Sequence, residues 1–470
     1  MNIPRICVSA THGSCGKTLF SLGLGRKLRA LGIKVKPFKK GPDYIDAAWL
    51  SQACGTPATN LDLFFTPSTD LRRLFRSTAE SGEFALIEGN RGLYDGMDER
   101  GSYSTAELAR TLNAPLVLCV DCSKTTRTMA AVLKGLTEFE EGLDFRGVIL
   151  NRVASSRHEA ALAKAIETRT NLEILGALPR DGDLALPERH MGLARSGYEE
   201  AEDFLDRAAA IVGENCDIDK IIASASEVAP IELDAGSPAA IIETRRPVIG
   251  YALDRAFWFY YPENLAALSA TGAELVPLSI AEDQADESNW ERVSGLYIGG
   301  GFPEDFAAEI AASPRLAMAR RFADDGMPIY AECGGLIALC ESLEKDGRRY
   351  AMGGVFPERI VWRPRPRGLG YIQGQVVAEN CFFPKGLILR GHEFHYSERE
   401  AGLTGSNFGL SLARGTGFIE RAGKRLDALV KNNVWASFAH IFAPAIPCWA
   451  KNFVAAAGKY RDSRRRDKAD

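Results

Sequence analysis

The chain has 470 residues, of which 46% are hydrophobic and 25% charged, with a formal net charge of −4. That length asks for two or three domains rather than one. The slightly acidic balance excludes a global basic field for nucleic acid. No apolar run approaches the roughly 20 residues of a membrane helix. The start "MNIPRICVSATHG" has no charged segment followed by an apolar stretch, so no secretion signal is expected. Ten cysteines are scattered, mostly in apolar runs, which fits a reducing compartment and a cytoplasmic protein. Cys119 and Cys122 form a C-x-x-C with no second pair, a spacing better explained by packing at a strand end than by zinc.

Along the first half, short β-branched runs alternate with amphipathic stretches. "RICVSA", "IKVKPF", "EFALIEG", "APLVLCVD" and "FRGVILN" read as strands, and "TLFSLGLGRKLRALG" and "STAELARTLN" as helices. This alternation predicts βαβ units and a mostly parallel sheet. Between the first strand and first helix lies "THGSCGKT", a phosphate-binding loop with Thr11 where the first glycine usually stands. Such a loop aims backbone N–H groups at phosphates from a helix N-terminus. Gly16 keeps side chains away from the phosphates and Gly13 supplies flexibility. Lys17 brings the cation, and Thr18 brings a hydroxyl for magnesium. Glu88 ends a strand where an open α/β sheet presents its ligands, and Asp43 and Asp46 follow another. Acids beside phosphates are repulsive unless a metal joins them. Each alone also suits a loop acid or a helix cap.

The pattern loosens at residues 215–246, read as a linker between a nucleotide domain at 1–214 and a second domain at 247–458. A charged tail at 459–470 follows. The second domain has its own strand series: "PVIGYAL", "ELVPLS", "GLYIGGG", "PIYAEC" and "YIQGQVV". Cys333 stands between an apolar strand and a helix opening with two glycines, a turn that exposes a nucleophile and lowers the cost of a thiolate. Gly299, Gly300 and Gly301 follow another strand, and with Gly334 offer N–H groups for an oxyanion hole. The nucleophile needs a base, and the six histidines are His12, His158, His190, His392, His395 and His440. Spacing alone does not choose among them.

The marks "THGSCGKT", "FKKGPDYIDAAWL", "NLDLFF", "EGNRGLYDG", "LPRDGDLALPERHMGL", "FWFYYPENLAAL", "YIGGGFPE", "AECGGL", "GHEFHYSE" and "ASFAHIF" occur in one order along nearly the whole chain. In these the chain resembles the cobyrinic acid a,c-diamide synthases. That family joins a dethiobiotin-synthetase-like P-loop ATPase domain to a flavodoxin-like class I glutamine amidotransferase domain. The resemblance implies an α/β fold in both domains. It implies Cys333 as glutaminase nucleophile and His440 as its base. It implies Thr18, Glu88 and Asp43 at a magnesium site, Asn151 against adenine, and Asp43 and Asp95 near the substrate carboxylates and the transferred phosphoryl group. Asp46, Asn90 and Arg91 join that substrate side, and His395 and Glu393 lie near the glutaminase site. Two positions depart from the family: Asn90 and Arg91 replace an apolar pair, and Phe442 replaces a second histidine. An arginine there suits a ligand with several carboxylates.

The implied substrates are a tetrapyrrole polycarboxylate, L-glutamine and ATP, with Mg2+, no nucleic acid and no membrane; a homodimer is compatible with this. The expected reaction is amidation of the a and c acetates through an acyl phosphate, with ammonia released from glutamine at Cys333. Sirohaem and nickel or metal-free sirohydrochlorin are the alternative macrocycles. A regulatory ATPase with an inactive second domain is a rival that the intact Cys333 and His440 oppose. A bicarbonate-using ligase like dethiobiotin synthetase would need no second half.

Overall fold

A computed structural model describes residues 3–180, 198–231, 246–282, 287–401 and 406–466. The chain forms two compact units, 1–191 with 195–236 and 237–470 with 192–194.

The first unit is built on seven strands: β1 (Arg5–Ala10), β2 (Val35–Lys40), β3 (Thr59–Leu61), β4 (Phe84–Glu88), β5 (Leu116–Asp121), β6 (Phe145–Val153) and β7 (Ile174–Pro179). All pair in parallel, in the order β3-β2-β4-β1-β5-β6-β7. Their near-continuous apolar runs follow from burial on both faces. The order places β1 between β4 and β5, with Val8 opposite Glu88 and Ala10 opposite Cys119. The loop leaving β1 therefore emerges between two neighbouring strand ends. It leads into α1 (Lys17–Ala30), and β2 leads into α2 (Tyr44–Cys54).

The stretch expected to begin a linker at 215 instead contains the helix Ile218–Ser226. Its Ile221 and Ala225 are fully buried with Ile6, Val8 and Leu175, which makes it part of the first core. The sequence signal was polar and alanine-rich, but two apolar side chains one turn apart suffice to dock a short helix.

In the second unit, β8 (Val248–Ala252), β9 (Glu274–Leu278), β10 (Gly295–Ile298), β11 (Ile329–Glu332) and the strand Val434–Ser437 pair in parallel. Their spatial order is second, first, third, fourth, fifth, the flavodoxin arrangement. Antiparallel strands Lys424–Lys431, Asn407–Arg414, Gly368–Val376, Ile388–His395 and His440–Ile441 extend that sheet. A separate four-stranded sheet is formed by 342–345, 348–351, 359–362 and 397–399. The stretch expected as a charged tail is helical as far as Arg466, the end of the helix Pro447–Arg466. Among the described residues no helix is long and apolar enough to cross a membrane.

Candidate functional site

In the first unit, the loop after β1 closes on Gly16, whose φ of 97° is a left-handed conformation suited to glycine. A second constraint acts there: a Cβ at Gly16 would lie 2.0 Å from Asn151 Nδ2. Asn151, from β6, donates through Nδ2 to the Cys15 carbonyl at 2.8 Å, while its Oδ1 accepts the Arg152 N–H at 2.9 Å. Both ends of this amide are thus engaged with backbone, one of them under the phosphate loop. The structure gives Asn151 a role in holding the loop's shape.

Lys17 Nζ donates to the His12 carbonyl at 3.2 Å and to the Arg91 carbonyl at 2.6 Å. It is folded back over its own loop, the resting position of a cation that phosphate oxygens would draw out. Burial and the neighbouring Lys39 hold its ammonium below the ordinary lysine value. Thr18 Oγ1 donates to Glu88 Oε1 at 3.0 Å. The same carboxylate oxygen accepts from Lys39 Nζ at 2.6 Å, and Lys39 also reaches Asp46 Oδ2 at 2.6 Å. Lys39 and Glu88 are register partners on β2 and β4, so the pair is a cross-strand ion pair at the sheet's carboxyl edge. Burial opposes the Lys39 charge, but the Glu88, Asp46 and Asp43 carboxylates outweigh it and keep the lysine protonated.

Asp43 caps α2, its Oδ1 accepting the Asp46 N–H at 2.8 Å. Burial, and then the Asp46 charge, push its carboxyl up to about 6. The expected metal role of Asp43 therefore meets a carboxylate already committed to a helix, and Asp46 is committed to Lys39. Asp95 Oδ2 accepts the Gly92 N–H at 2.8 Å and so shapes the 89–96 turn. Arg91 is exposed at a φ of 53°, and its carbonyl, not its guanidinium, meets Lys17. Asn90 Nδ2 lies against Gly41, where a Cβ would come within 3.2 Å of it. Arg91, Tyr94, Asp95, Gly96, Arg100 and Phe139 line an open depression of about 610 Å3.

Glu88 is the candidate ligand for a metal. It is fully buried, and its Oε2 is without a hydrogen-bond partner among the described residues. A hard carboxylate oxygen beside a threonine hydroxyl matches the donor set of Mg2+, which takes one or two protein oxygens and completes its shell with phosphate and water. Among the described residues there is no cluster of three or more acidic, histidine or cysteine side chains fit for a metal held by protein alone. The residues present therefore fit a magnesium ion that arrives with nucleotide.

In the second unit, Cys333 sits between β11 and the helix Gly334–Leu339 at φ 48° and ψ −101°. This is a strained conformation for a residue with a Cβ, of the kind that surrounding structure must enforce. Enforcement is visible: the Cys333 N–H donates to the Ser437 carbonyl at 2.7 Å and the Gly335 N–H to the Gly299 carbonyl at 3.1 Å. The thiol donates to the Phe394 carbonyl at 3.4 Å. Burial, reinforced by the Glu304 carboxyl, pushes the thiol well above its ordinary value, although the Gly334 N–H bonds the sulfur and opposes this. The short helix's N-terminus does not by itself make the resting cysteine a thiolate, contrary to the expectation from sequence.

Of the six histidines, the sheet brings His440 to this turn. Gly300 lies against its ring, since a Cβ there would be 2.5 Å from His440 Cε1 and 3.3 Å from Nε2. Gly334 in turn lies against Gly301, with a Cβ position 3.1 Å from the Gly301 nitrogen. Gly300 thus lies against His440, and Gly334, next to Cys333, lies against Gly301. On the side away from Gly300, His440 Nδ1 is 3.5 Å from Glu332 Oε2, and its ring stacks on His392 at 4.7 Å and 19°.

His395 is held elsewhere. Its ring stacks on Phe438 at 3.7 Å, and its Nδ1 meets the Ser397 carbonyl at 2.7 Å. Glu393 accepts the backbone N–H groups of Thr416 and Gly417. Both support the strand whose Phe394 carbonyl touches the thiol. His158 meets the Thr125 carbonyl and His12 is exposed, both in the first unit. His190 and most of "LPRDGDLALPERHMGL" lie outside the described residues. All ten cysteines are free thiols; Cys119 and Cys122 are buried, and Cys119 Sγ lies 3.4 Å from the Cys15 carbonyl.

Sequence reasoning missed Lys39 and Glu332. The signals were three lysines in the strand "VKPFKK" of a sheet covered on both faces and an acid closing the buried "IYAE", all costly burials without a partner.

A phosphate loop on one parallel sheet and a strained cysteine beside a histidine on another define a nucleotide-binding domain joined to a glutamine amidotransferase domain. Family models agree: residues 6–193 match the CobQ/CobB/MinD/ParA nucleotide binding domain, and residues 248–445 the CobB/CobQ-like glutamine amidotransferase domain. The chain is 40% identical to the cobyrinate a,c-diamide synthase of Magnetococcus marinus, over 95% of this chain and 96% of that one. It is 39% identical to that of Dehalococcoides mccartyi, over 97% and 98%, and 37% identical to that of Caldanaerobacter subterraneus subsp. tengcongensis, over 92% and 94%. The chain belongs to the cobyrinate a,c-diamide synthase family.

Proposed function

We propose that this chain is a cytoplasmic, ATP-dependent ligase that amidates the a and c acetate side chains of cobyrinate with nitrogen from glutamine. The observation that carries this is the presence, in one chain, of a phosphate loop with Lys17, Thr18 and Glu88 and of a strained Cys333 on the same sheet as His440, which lies against Gly300.

In the first unit, the loop N–H groups and Lys17 take the phosphates of ATP. Thr18 and Glu88 would hold Mg2+, which when bound neutralises phosphate charge. A carboxylate oxygen of the acetate attacks the γ-phosphorus, ADP leaves, and an acyl phosphate forms. Positioning and charge neutralisation supply most of the rate enhancement in such transfers. Arg91 and Arg100 on the rim of the depression offer charge for the remaining carboxylates.

In the second unit, His440 takes the Cys333 proton as sulfur attacks the amide carbon of glutamine. The high resting value of the thiol is compatible with this, since the proton leaves only as a base accepts it. The N–H groups of Gly300, Gly301 and Gly334 face the developing oxyanion, and each such donor is worth roughly 3 kcal/mol. Protonated His440 returns its proton to the leaving nitrogen, ammonia departs, and water hydrolyses the thioester to glutamate. Ammonia then displaces phosphate from the acyl phosphate.

The test is incubation of the chain with ATP, Mg2+, glutamine and, separately, cobyrinate, sirohydrochlorin and sirohaem, followed by mass spectrometry. A mono- and then a diamide of cobyrinate are expected. Amidation of the other macrocycles with none of cobyrinate would overturn the substrate, and no amidation of any would overturn the reading.

A further inference from the structure

The base in a cysteine–histidine pair works only in one tautomer: the nitrogen facing sulfur must be free to accept a proton. Something must therefore hold a hydrogen on the other nitrogen. After His440 the chain continues as Ile441, Phe442 and Ala443, which carry no acid to do so. The partner comes from the strand of the nucleophile itself.

We propose that Glu332, the residue immediately before Cys333, is the positioning acid of the glutaminase site, fixing the tautomer of His440 and stabilising its imidazolium. Its Oε2 lies 3.5 Å from His440 Nδ1, and both side chains are buried, at 0 and 1% exposure. The carboxylate is held in place from several directions. The Tyr297 hydroxyl donates to Oε2 at 2.9 Å and the Tyr330 hydroxyl to Oε1 at 3.3 Å. The Ile441 N–H, adjacent to His440, donates to Oε1 at 3.0 Å. Asn264 secures the surroundings, donating to the Tyr297 hydroxyl and the Ile441 carbonyl and accepting the Ala443 N–H. These donors fix the carboxyl in place and leave it turned toward the ring nitrogen of His440.

Alternation along the strand explains the placement. Successive side chains of β11 point to opposite faces, so an acid before the nucleophile turns away from the helix that Cys333 begins. It turns toward Tyr297 of β10 and the returning strand that carries His440. His392, stacked on the other ring face, is itself kept well below its ordinary value by burial and by His440. Among the described residues, Glu332 is an acid within ion-pair distance of His440 Nδ1, and His392 is the titratable group stacked on its ring.

The proton path balances with Glu332 as a spectator. The Cys333 proton moves to His440 Nε2, the Nδ1 hydrogen stays on nitrogen toward Glu332, and the Nε2 proton leaves with ammonia.

Glu332→Gln is the test. The amide keeps an acceptor for the Ile441 N–H but turns an NH2 group toward Nδ1, favouring the tautomer with hydrogen on Nε2. Glutaminase kcat should fall by about 10^2- to 10^4-fold, with the KM for glutamine within about twofold, as for loss of an orienting carboxylate elsewhere. In a His440→Ala background the same substitution should cost nothing further. A purely structural role would cost as much there as in the native enzyme. Alkylation of Cys333 by iodoacetamide gives a second readout. Its rate at a fixed pH should fall equally in Glu332→Gln and His440→Ala. Tyr297→Phe, which removes one donor, should lower kcat by a smaller factor with KM unchanged, and serves if Glu332→Gln does not fold. Native kcat in folded Glu332→Gln, an added loss in the His440→Ala background, or for an unfolded Glu332→Gln an unchanged kcat in Tyr297→Phe would overturn the assignment. The inference rests on the glutaminase reading of Cys333. That reading fails separately if the native chain hydrolyses no glutamine or if Cys333→Ser still does, and the assignment falls with it.

Discussion

The two units place their chemistry at the same kind of address, the carboxyl ends of parallel strands, and hold charge there in opposite ways. The phosphate loop sits in a network of formal charges: Lys17, Lys39, Glu88 and Asp46, two cations and two anions within one cluster. The cysteine site relies on neutral donors. Its thiol is held protonated by burial, and its acid is wrapped by phenols and a backbone N–H. The difference follows the chemistry. A site that receives a polyanion needs exchangeable cations, and Lys17 and Lys39 already have carbonyl and carboxylate partners to give up. A site that makes its own charge during the reaction needs preorganised dipoles and a dry environment.

Cys333→Ser should separate the units most sharply. Glutamine-driven synthesis should fall by at least about 10^3-fold, as removal of a nucleophile usually does, while ammonium salts still drive amidation. Loss of the ammonium reaction in folded protein would break the division of labour.

Lys39→Met tests whether the charged network is also structural. It leaves Glu88 buried and unpaired, a change that typically costs about 3–5 kcal/mol. Denaturant titration of the first unit's transition should show this. Pairing Lys39→Met with Glu88→Gln should recover most of the loss, because no uncompensated charge remains. An unchanged midpoint in Lys39→Met would mean that water reaches the pair.

Lys17→Ala should lower synthesis by about 10^2- to 10^3-fold with glutamine and with ammonium alike, since one preorganised cation on the phosphates is removed. Glutamine hydrolysis should persist. Selective loss of the glutamine-driven reaction would contradict the assignment of Lys17 to the phosphoryl step.

The smallest effect concerns pH. Burial pushes the Glu304 carboxyl up to about 7 from an ordinary 4.5. The folded chain then holds a proton that the unfolded chain has released. Stability therefore falls as pH rises from 4.5 to 7 and is level above, which is the reverse of an ion-paired acid. Glu304→Gln should flatten that slope and raise stability at pH 8 by about 1–3 kcal/mol. Denaturant midpoints at pH 5 and 8 measure it, and a slope unchanged by the substitution would mean that another group titrates.

The division between what was legible and what was not runs through particular residues. The loop from Ser9 to Thr18 and the turn at Cys333 could be read directly, because each works through local backbone geometry: a strand end, a glycine, a helix start. Such features are written in adjacent residues. The helix at 218–226 was misread because Ile221 and Ala225, with Ile218 and Ile222 packed beside them, form a short apolar face inside a polar segment. That Asn151 braces the loop from β6 was not legible, because strand order creates the contact.

By itself the sequence determined the two α/β units, the phosphate loop and the turn that carries Cys333. Only the tertiary structure decided that His440 lies against Gly300, that Lys39 pairs with one oxygen of Glu88, and that Glu332 stands beside His440. The physical reason is that a side chain's partner in a parallel sheet lies on the neighbouring strand. Strand order and register bring that partner near from a distant point in the chain. Charge pairing, tautomer choice and burial are then settled across space, where spacing along the chain carries no information.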